Sequence, residues 1–302
     1  MMPHHIYIRA SAQISVQEPL CDKWMTDPVP CDAPYRRAIE ADYKPFLDPV
    51  ASRRMGKILK RAIATSFTVA RQSGIACPDA VITGTGLGCI DNTEKFLTAL
   101  VTEGEAYLQP TNFINSTHNT ISSQIAVQMG CHGYNSTYVH LGVSFESALL
   151  DAVMQFQTGS IHSALVGGHD EMTPNYYTLL QRVGFWEGSM AGETAVSMML
   201  SDSAPDDGTP CPVLYDMELL SGAAVAEIPQ RAARMCERAG LVMDQVPCIT
   251  PDKVEALFGR SYTSGAFGVY MAAAYLKQRG AGAYLVYNNY HGEEASVILL
   301  KA

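Results

Sequence analysis

The end of the chain can be laid over its middle. A helix-forming run that reaches Gln157 passes through Gly159 into SALVGGHDE and later ETAVSMMLSD, and a second run, GAFGVYMAAAYLKQ (265–278), passes through Gly280 and Gly282 into AYLVYNNY and then EASVILLKA. Each copy is a helix, a buried strand and a second apolar strand, and the first carries the longer loop between its strands. A repeated unit of this kind constrains the fold strongly, because like units bury like faces against each other. Two duplicated halves packed face to face, residues 1–202 and 203–302, divided in SAPDDGTPCP (203–212), would account for it. Two ordinary βαβ-like ends of unrelated origin would as well.

The remaining patterning fits either reading. HHIYIRASAQISV (4–16) alternates apolar and polar side chains like a half-buried strand, and a polar, Pro-rich stretch follows to about residue 50. Apolar spacing over SRRMGKILKRAIATSFTVARQS (52–73), with Ser52 as candidate N-cap and Gly74 as stop, predicts a helix. DAVITGTGLG (79–88) reads as a strand running into a Gly-rich turn. Helices are expected at 92–102, 119–129 and 144–157, and strands at 163–168 and 193–200. STYVHLGV (136–143) is β-branched enough to be a buried strand. Alternating strands and helices predict an α/β fold.

Composition removes several classes of function. With 302 residues and 47% apolar content the chain can bury a sizeable core, unlike a disulfide scaffold or a disordered regulator. A net charge of −9 without a cationic block argues against a nucleic-acid partner. The eight cysteines show no CxxC or Cys/His ligand spacing, which reads as buried thiols in a reducing compartment, with no metal. MMPHHIYIRA lacks the basic and apolar regions of a signal peptide, and no apolar run approaches 18 residues, so a soluble cytoplasmic protein without a membrane span is expected.

Taken in order, TGTGLG (83–88), TNFINSTHN (111–119), GYN (133–135) before STYVHLGVS, ALVGGHDE (164–171), GETAVSMMLSD (192–202), SGAFG (264–268) and GEEASVILL (292–300) resemble the landmarks of β-ketoacyl synthases. The resemblance implies the thiolase-like fold, two similar βαβαβαββ halves in α/β/α/β/α layers, here with an abbreviated C-terminal half. It also implies a cysteine at the elbow between a strand and a helix, where backbone N–H groups and the helix dipole activate the thiol. Counting from Gly133 and Asn135, that position is Gly142, which can carry no acyl group. The family's second histidine falls at Tyr262 in SYTSGA, and its first has no counterpart in QVPCITPDKVEALF (245–258).

This pattern is similar to the chain length factors of type II polyketide and aryl polyene synthases, which lack the nucleophile and pair with an active ketosynthase. The resemblance implies a non-catalytic subunit, no cofactor, and an acyl tunnel completed across the pair, with acyl carrier protein contacted mainly by the active subunit. His140, Gly142, Phe145 and Tyr262 are the tunnel or pocket candidates. Asn112, Asn115, Ser136, Thr137, Tyr138 and Val139 are the candidates for the dimer interface, with the active subunit or with a second copy. The alternatives are an independent acyltransferase or thioester hydrolase, and a homodimeric acyl-binding protein.

Other chemistry has weaker support. Cys131 reads as a packed thiol. Ser144 with His140 and Asp170 invites a triad reading, but Ser144 equally suits a helix N-cap, with Glu146 assisting the first turn. His169 and Asp170 are expected in a loop after a strand. Met190, Met198 and Met199 suit either a soft acyl channel or ordinary core. GTGLG (84–88) lacks the third glycine and the acidic residue of a dinucleotide site.

Overall fold

The computed structural model describes residues 5–30, 33–105, 108–186, 189–206 and 208–302. The first half comprises β1 (Ile6–Ile14), α1 (Lys57–Ser73), β2 (Ala80–Gly84), α2 (Ile90–Glu103), α3 (Pro110–Ile114), α4 (Thr120–Met129), β3 (Tyr134–Tyr138), α5 (Ser144–Gln157), β4 (Ser163–Asp170), α6 (Pro174–Arg182) and β5 (Thr194–Ser201). The second comprises β6 (Val213–Ser221), α7 (Ile228–Arg238), β7 (Cys248–Ile249), α8 (Pro251–Phe258), α9 (Gly265–Arg279), β8 (Ala283–Tyr290) and β9 (Glu294–Lys301).

The nine strands run β3-β2-β4-β5-β1-β6-β9-β8-β7. From the centre outward, β1 matches β6, β5 matches β9, β4 matches β8 and β2 matches β7, while nothing beyond β7 matches β3. Both copies pair their last two strands antiparallel and the next neighbour parallel. The helix–strand–strand repeat is therefore α5-β4-β5 and α9-β8-β9. The halves join where Ile6 and Tyr7 pair with Leu214 and Val213.

Burial explains the layers. α9 is apolar on all sides, with small residues at Gly265, Ala266, Gly268, Ala272 and Ala273, as a helix enclosed between sheets requires. It packs on β8 and β9 of its own half and also touches β1 and β5; α5 packs on β2 and β4 and also touches β6. Phe145, Ala148 and Leu149 of α5 and Phe267 and Tyr270 of α9 thus share one central core. On the far faces, Ile58, Ala62 and Val69 of α1 cover one half, and Ala232 and Met235 of α7 cover the other. The thiolase-like α/β architecture expected from the motifs is the one observed. Met198 faces the central core and its neighbour Met199 the outer one, which is the period-two alternation of a strand.

Three local expectations differ. α1 starts at Lys57 behind Gly56, whose extended ψ of 155° interrupts the run, so Ser52 sits in a separate 3₁₀ turn and caps nothing. His169 and Asp170 lie inside β4 and are fully buried, not in a loop. β3 ends at Tyr138 and is half-exposed along its length, because it is an edge strand paired only to β2. A β-branched run looks the same on an edge as in a core; only the missing neighbour distinguishes them.

Candidate functional site

The turn from β3 into α5 is tight. Leu141 adopts φ +45°, a region that non-glycine residues seldom occupy. Ser144 pins this turn: its Oγ donates to the Leu141 carbonyl at 2.7 Å and accepts from the His140 N–H at 2.8 Å. Gly142 stands between them. A Cβ placed on Gly142 would lie 2.0 Å from Tyr290 Cδ2 and 2.4 Å from Cγ, so the tyrosine ring occupies the space a nucleophilic side chain would need.

Tyr290 ends β8 and belongs to an aromatic cluster. Its ring lies 6.1 Å from that of Tyr262 and 4.7 Å from that of His291, and the Phe185 ring lies tilted at 5.2 Å from that of Tyr262. Tyr262 is buried and backed by Gly86, where a Cβ would come within 2.3 Å of the Tyr262 Cβ. The Gly-rich turn, the elbow, SYTSGA and the end of β8 therefore converge, with Tyr290 joining Gly142 to Tyr262. Burial pushes the Tyr262 and Tyr290 phenols upward, so both stay protonated and neither serves as a base near neutral pH.

Two buried carboxyls flank the elbow. Burial raises Asp170 to about 6, although it accepts from the Leu87 and Gly86 N–H groups and from Thr85 Oγ1 at 2.9–3.0 Å. Burial raises Glu146 to about 7; its Oε1 accepts from Asn288 Nδ2 at 2.7 Å and Ser296 Oγ at 3.3 Å. Its Oε2 is buried with no partner among the described residues. Asn288 Nδ2 also reaches the Gly142 carbonyl at 2.8 Å and so ties the elbow to β8. A cavity of about 190 Å³ opens beside Gly142, lined by Phe185, Arg260, Ser264, Asn288 and Tyr290 among others. Its lining mixes polar and apolar surface, and Arg260 is already engaged by Glu255 at 2.8 Å and by the Phe185 carbonyl at 3.0 Å.

The triad of Ser144, His140 and Asp170 is not assembled. Ser144 is spent on the turn backbone and Asp170 on the 85–87 turn. His140 instead places Nδ1 2.9 Å from Ser147 Oγ and Nε2 2.6 Å from Glu294 Oε1. His169 is buried without a hydrogen-bond partner among the described residues, and burial lowers it to about 3, so it is neutral. Cys131 is a packed thiol pushed up to about 12 by burial beside Cys77. Phe145, expected in a tunnel wall, is fully buried in the central core. Met190 likewise packs on Gly259 as core.

The expected interface residues lie on one side of the molecule's first half. Along β3, Thr137 turns inward to Ser122 Oγ at 2.7 Å, and Tyr138 packs toward Asp151, where burial and that carboxylate push its phenol up to about 12. Ser136 is half-buried, and Val139 is 51% exposed. What β3 offers outward is chiefly its unpaired backbone edge. Asn112 and Asn115 are half-buried, in α3 and at its C-terminal end. Asn112 also lines a groove of about 480 Å³ with Arg53, Arg54, Lys95 and Asp91, so the cations are less scattered in space than along the chain.

The sequence reading missed Tyr290, His291, Phe185, Asn288 and Ser147. Tyr290 and Asn288 lie within AYLVYNNY, and their alignment with the end of β4 was the available signal. Phe185 carries no local signal. Among the described residues no group of His, Cys, Asp and Glu could hold a metal ion, and no helix is long and apolar enough to cross a membrane.

Fold and turn geometry together define a thiolase-like α/β architecture with a glycine, Gly142, in the turn between β3 and α5. Residues 24–214 match the β-ketoacyl synthase N-terminal domain, which is well over half of the chain, and the protein belongs to that family. Comparison with curated proteins finds no match. Among solved structures the chain is similar to the ishigamide ketosynthase/chain length factor, with 14% identity, 99% of each chain covered and a TM-score of 0.80. It is also similar to a ketosynthase (ApeO) in complex with its chain length factor (ApeC) from Xenorhabdus doucetiae, with 14% identity, 99% and 98% of the two chains covered and a TM-score of 0.78. A β-ketoacyl synthase from Burkholderia phymatum STM815 gives 11% identity, 99% coverage of each chain and a TM-score of 0.79. At these identities the likeness is one of fold.

Proposed function

We propose that this chain is a non-condensing, chain-length-factor-like subunit that pairs with an active β-ketoacyl synthase and helps to shape the acyl tunnel of the pair. One observation supports the reading: Gly142 stands in the turn between β3 and α5, where counting between the family's landmarks puts the nucleophile, and Tyr290 fills the space beside it. Decarboxylative condensation passes through an acyl thioester on a cysteine. The chain has none at the elbow, so its partner supplies it. Phe145 and Tyr262 are enclosed, and the tunnel wall contributed by this subunit falls to its exposed face around Val139, His140 and Leu141. The β3 edge, with Asn112 and Asn115 nearby, is the pairing surface; acyl carrier protein docks mainly on the active subunit, and the pair works in the cytoplasm.

The test is co-expression of the tagged chain with an untagged ketosynthase encoded beside it, followed by native mass measurement and an assay of malonyl condensation. The expected result is a one-to-one complex that condenses only when both chains are present. A stable homodimer that ignores the ketosynthase overturns the proposal and favours an acyl-binding protein.

A further inference from the structure

Of three side chains linked beside the elbow, only His140 has a part in that reading, as tunnel wall. His140 bridges Ser147 Oγ, 2.9 Å from Nδ1, and Glu294 Oε1, 2.6 Å from Nε2. Ser147 lies in the first turns of α5, and Glu294 opens β9. The second carboxylate oxygen, Glu294 Oε2, is buried with no partner among the described residues. A carboxylate accepts from a ring N–H, so Glu294 selects the tautomer with hydrogen on Nε2. That leaves the Nδ1 lone pair facing the Ser147 hydroxyl. The arrangement is nucleophile, base and orienting carboxylate, reached through the ring nitrogens in the order opposite to that of the serine proteases.

We propose that Ser147, His140 and Glu294 form a hydrolytic site for activated acyl groups, thioesters above all. Ser147 Oγ attacks the acyl carbonyl carbon as its proton passes to His140 Nδ1; the carbon–sulfur bond breaks, and the thiolate leaves with that proton. Water then attacks the acyl-serine, gives a proton to Nδ1, and the carbon–Oγ bond breaks with return of the proton to Ser147. The products are a thiol and a carboxylic acid, with one water consumed. The oxyanion develops beside the positive N-terminal end of α5. Val139 and Leu141, 51% and 50% exposed, flank His140 and supply apolar surface for the acyl chain. Glu294 is a positioning residue; Ser147 and His140 touch the substrate. The site shares Val139, His140 and Leu141 with the face proposed for pairing, so it is read in the free chain as well as in the complex.

The test uses the full chain, alone and in complex with its ketosynthase, with a fluorophosphonate probe and with p-nitrophenyl hexanoate as substrate. The expected result is one label, mapped to Ser147, and ester hydrolysis. In Ser147→Ala the label is absent, and in Ser147→Ala and His140→Gln turnover falls by about 10³-fold or more. Glu294→Gln keeps the hydrogen-bonding shape and removes the charge, so kcat falls about 10- to 100-fold with KM unchanged, and Glu294→Asp restores part of it. A merely structural Glu294 would tolerate the neutral isostere and leave kcat in place. Absence of label in both the free chain and the complex overturns the proposal, as does label or turnover that persists in Ser147→Ala. Native mass of the same samples reads pairing separately, so failure of this site and failure of the pairing proposal are distinguishable.

Discussion

Asp170 and Glu146 are both fully buried carboxyls beside the elbow, yet they are held very differently. Asp170 receives three donors from the 85–87 turn, so its burial is compensated and the Gly-rich turn is fixed to β4. Glu146 reaches across to Asn288 on β8 and Ser296 on β9 with one oxygen and leaves the other unpaired. One carboxyl locks a turn within the first half; the other spans the junction between halves. The contrast teaches that the turn within the first half is fully paired, whereas the compromise falls at the junction, where Tyr290 also enters.

Removing the well-paired carboxyl breaks the contrast most severely. Asp170→Ala leaves two buried N–H groups and a hydroxyl without their acceptor and is expected to cost about 3–5 kcal/mol in urea unfolding. Gly142→Ala follows, at about 1–3 kcal/mol, because its methyl meets the Tyr290 ring near its root. Tyr290→Ala in the same chain restores most of that loss, so the two substitutions are strongly non-additive. Additive costs would show that Tyr290 does not define the space beside Gly142.

Glu146 gives a pH signature. Its folded value of about 7 lies above the ordinary 4.5, so the folded state keeps a proton that the unfolded state has released. Stability therefore falls as the pH rises from about 4.5 to about 7 and levels off beyond. Asp170, at about 6, and Glu171, at about 7, act in the same direction. Glu146→Gln removes its share and is expected to flatten the decline by about 1–3 kcal/mol between pH 4.5 and 8, read from unfolding midpoints. An unchanged slope would place the proton elsewhere. The smallest effect on the isolated chain belongs to Val139→Asp, about 0.5 kcal/mol or less, while loss of the ketosynthase complex is expected in native mass spectra.

Much of the fold was legible because the repeat is long and strongly patterned: α5, β4 and β5, and again α9, β8 and β9, carry burial at every position that matters. That Gly142 stands in a strand-to-helix turn was legible by counting between flanking landmarks. Its occlusion was not, since Tyr290 lies 148 residues on at the tip of a hairpin and no local pattern reports a contact at that distance. The Ser144 hydroxyl drew a triad reading, whereas the turn consumed it and the His140 ring faces the buried Ser147 instead. Nor did the sequence analysis assign β6, α7 or α8; the repeat overlay began at α9 and left that stretch unread. The burial of β3 was overestimated because strand propensity does not say whether a neighbour is present.

The central claim is that the partner supplies the condensing nucleophile. Malonyl condensation should be measured for the complex in three forms: wild type, with the partner's elbow cysteine replaced by alanine, and with Ser147→Ala in this chain. The account predicts condensation in the first and third and none in the second. Condensation by this chain alone, or by the complex with the disarmed partner, would contradict it.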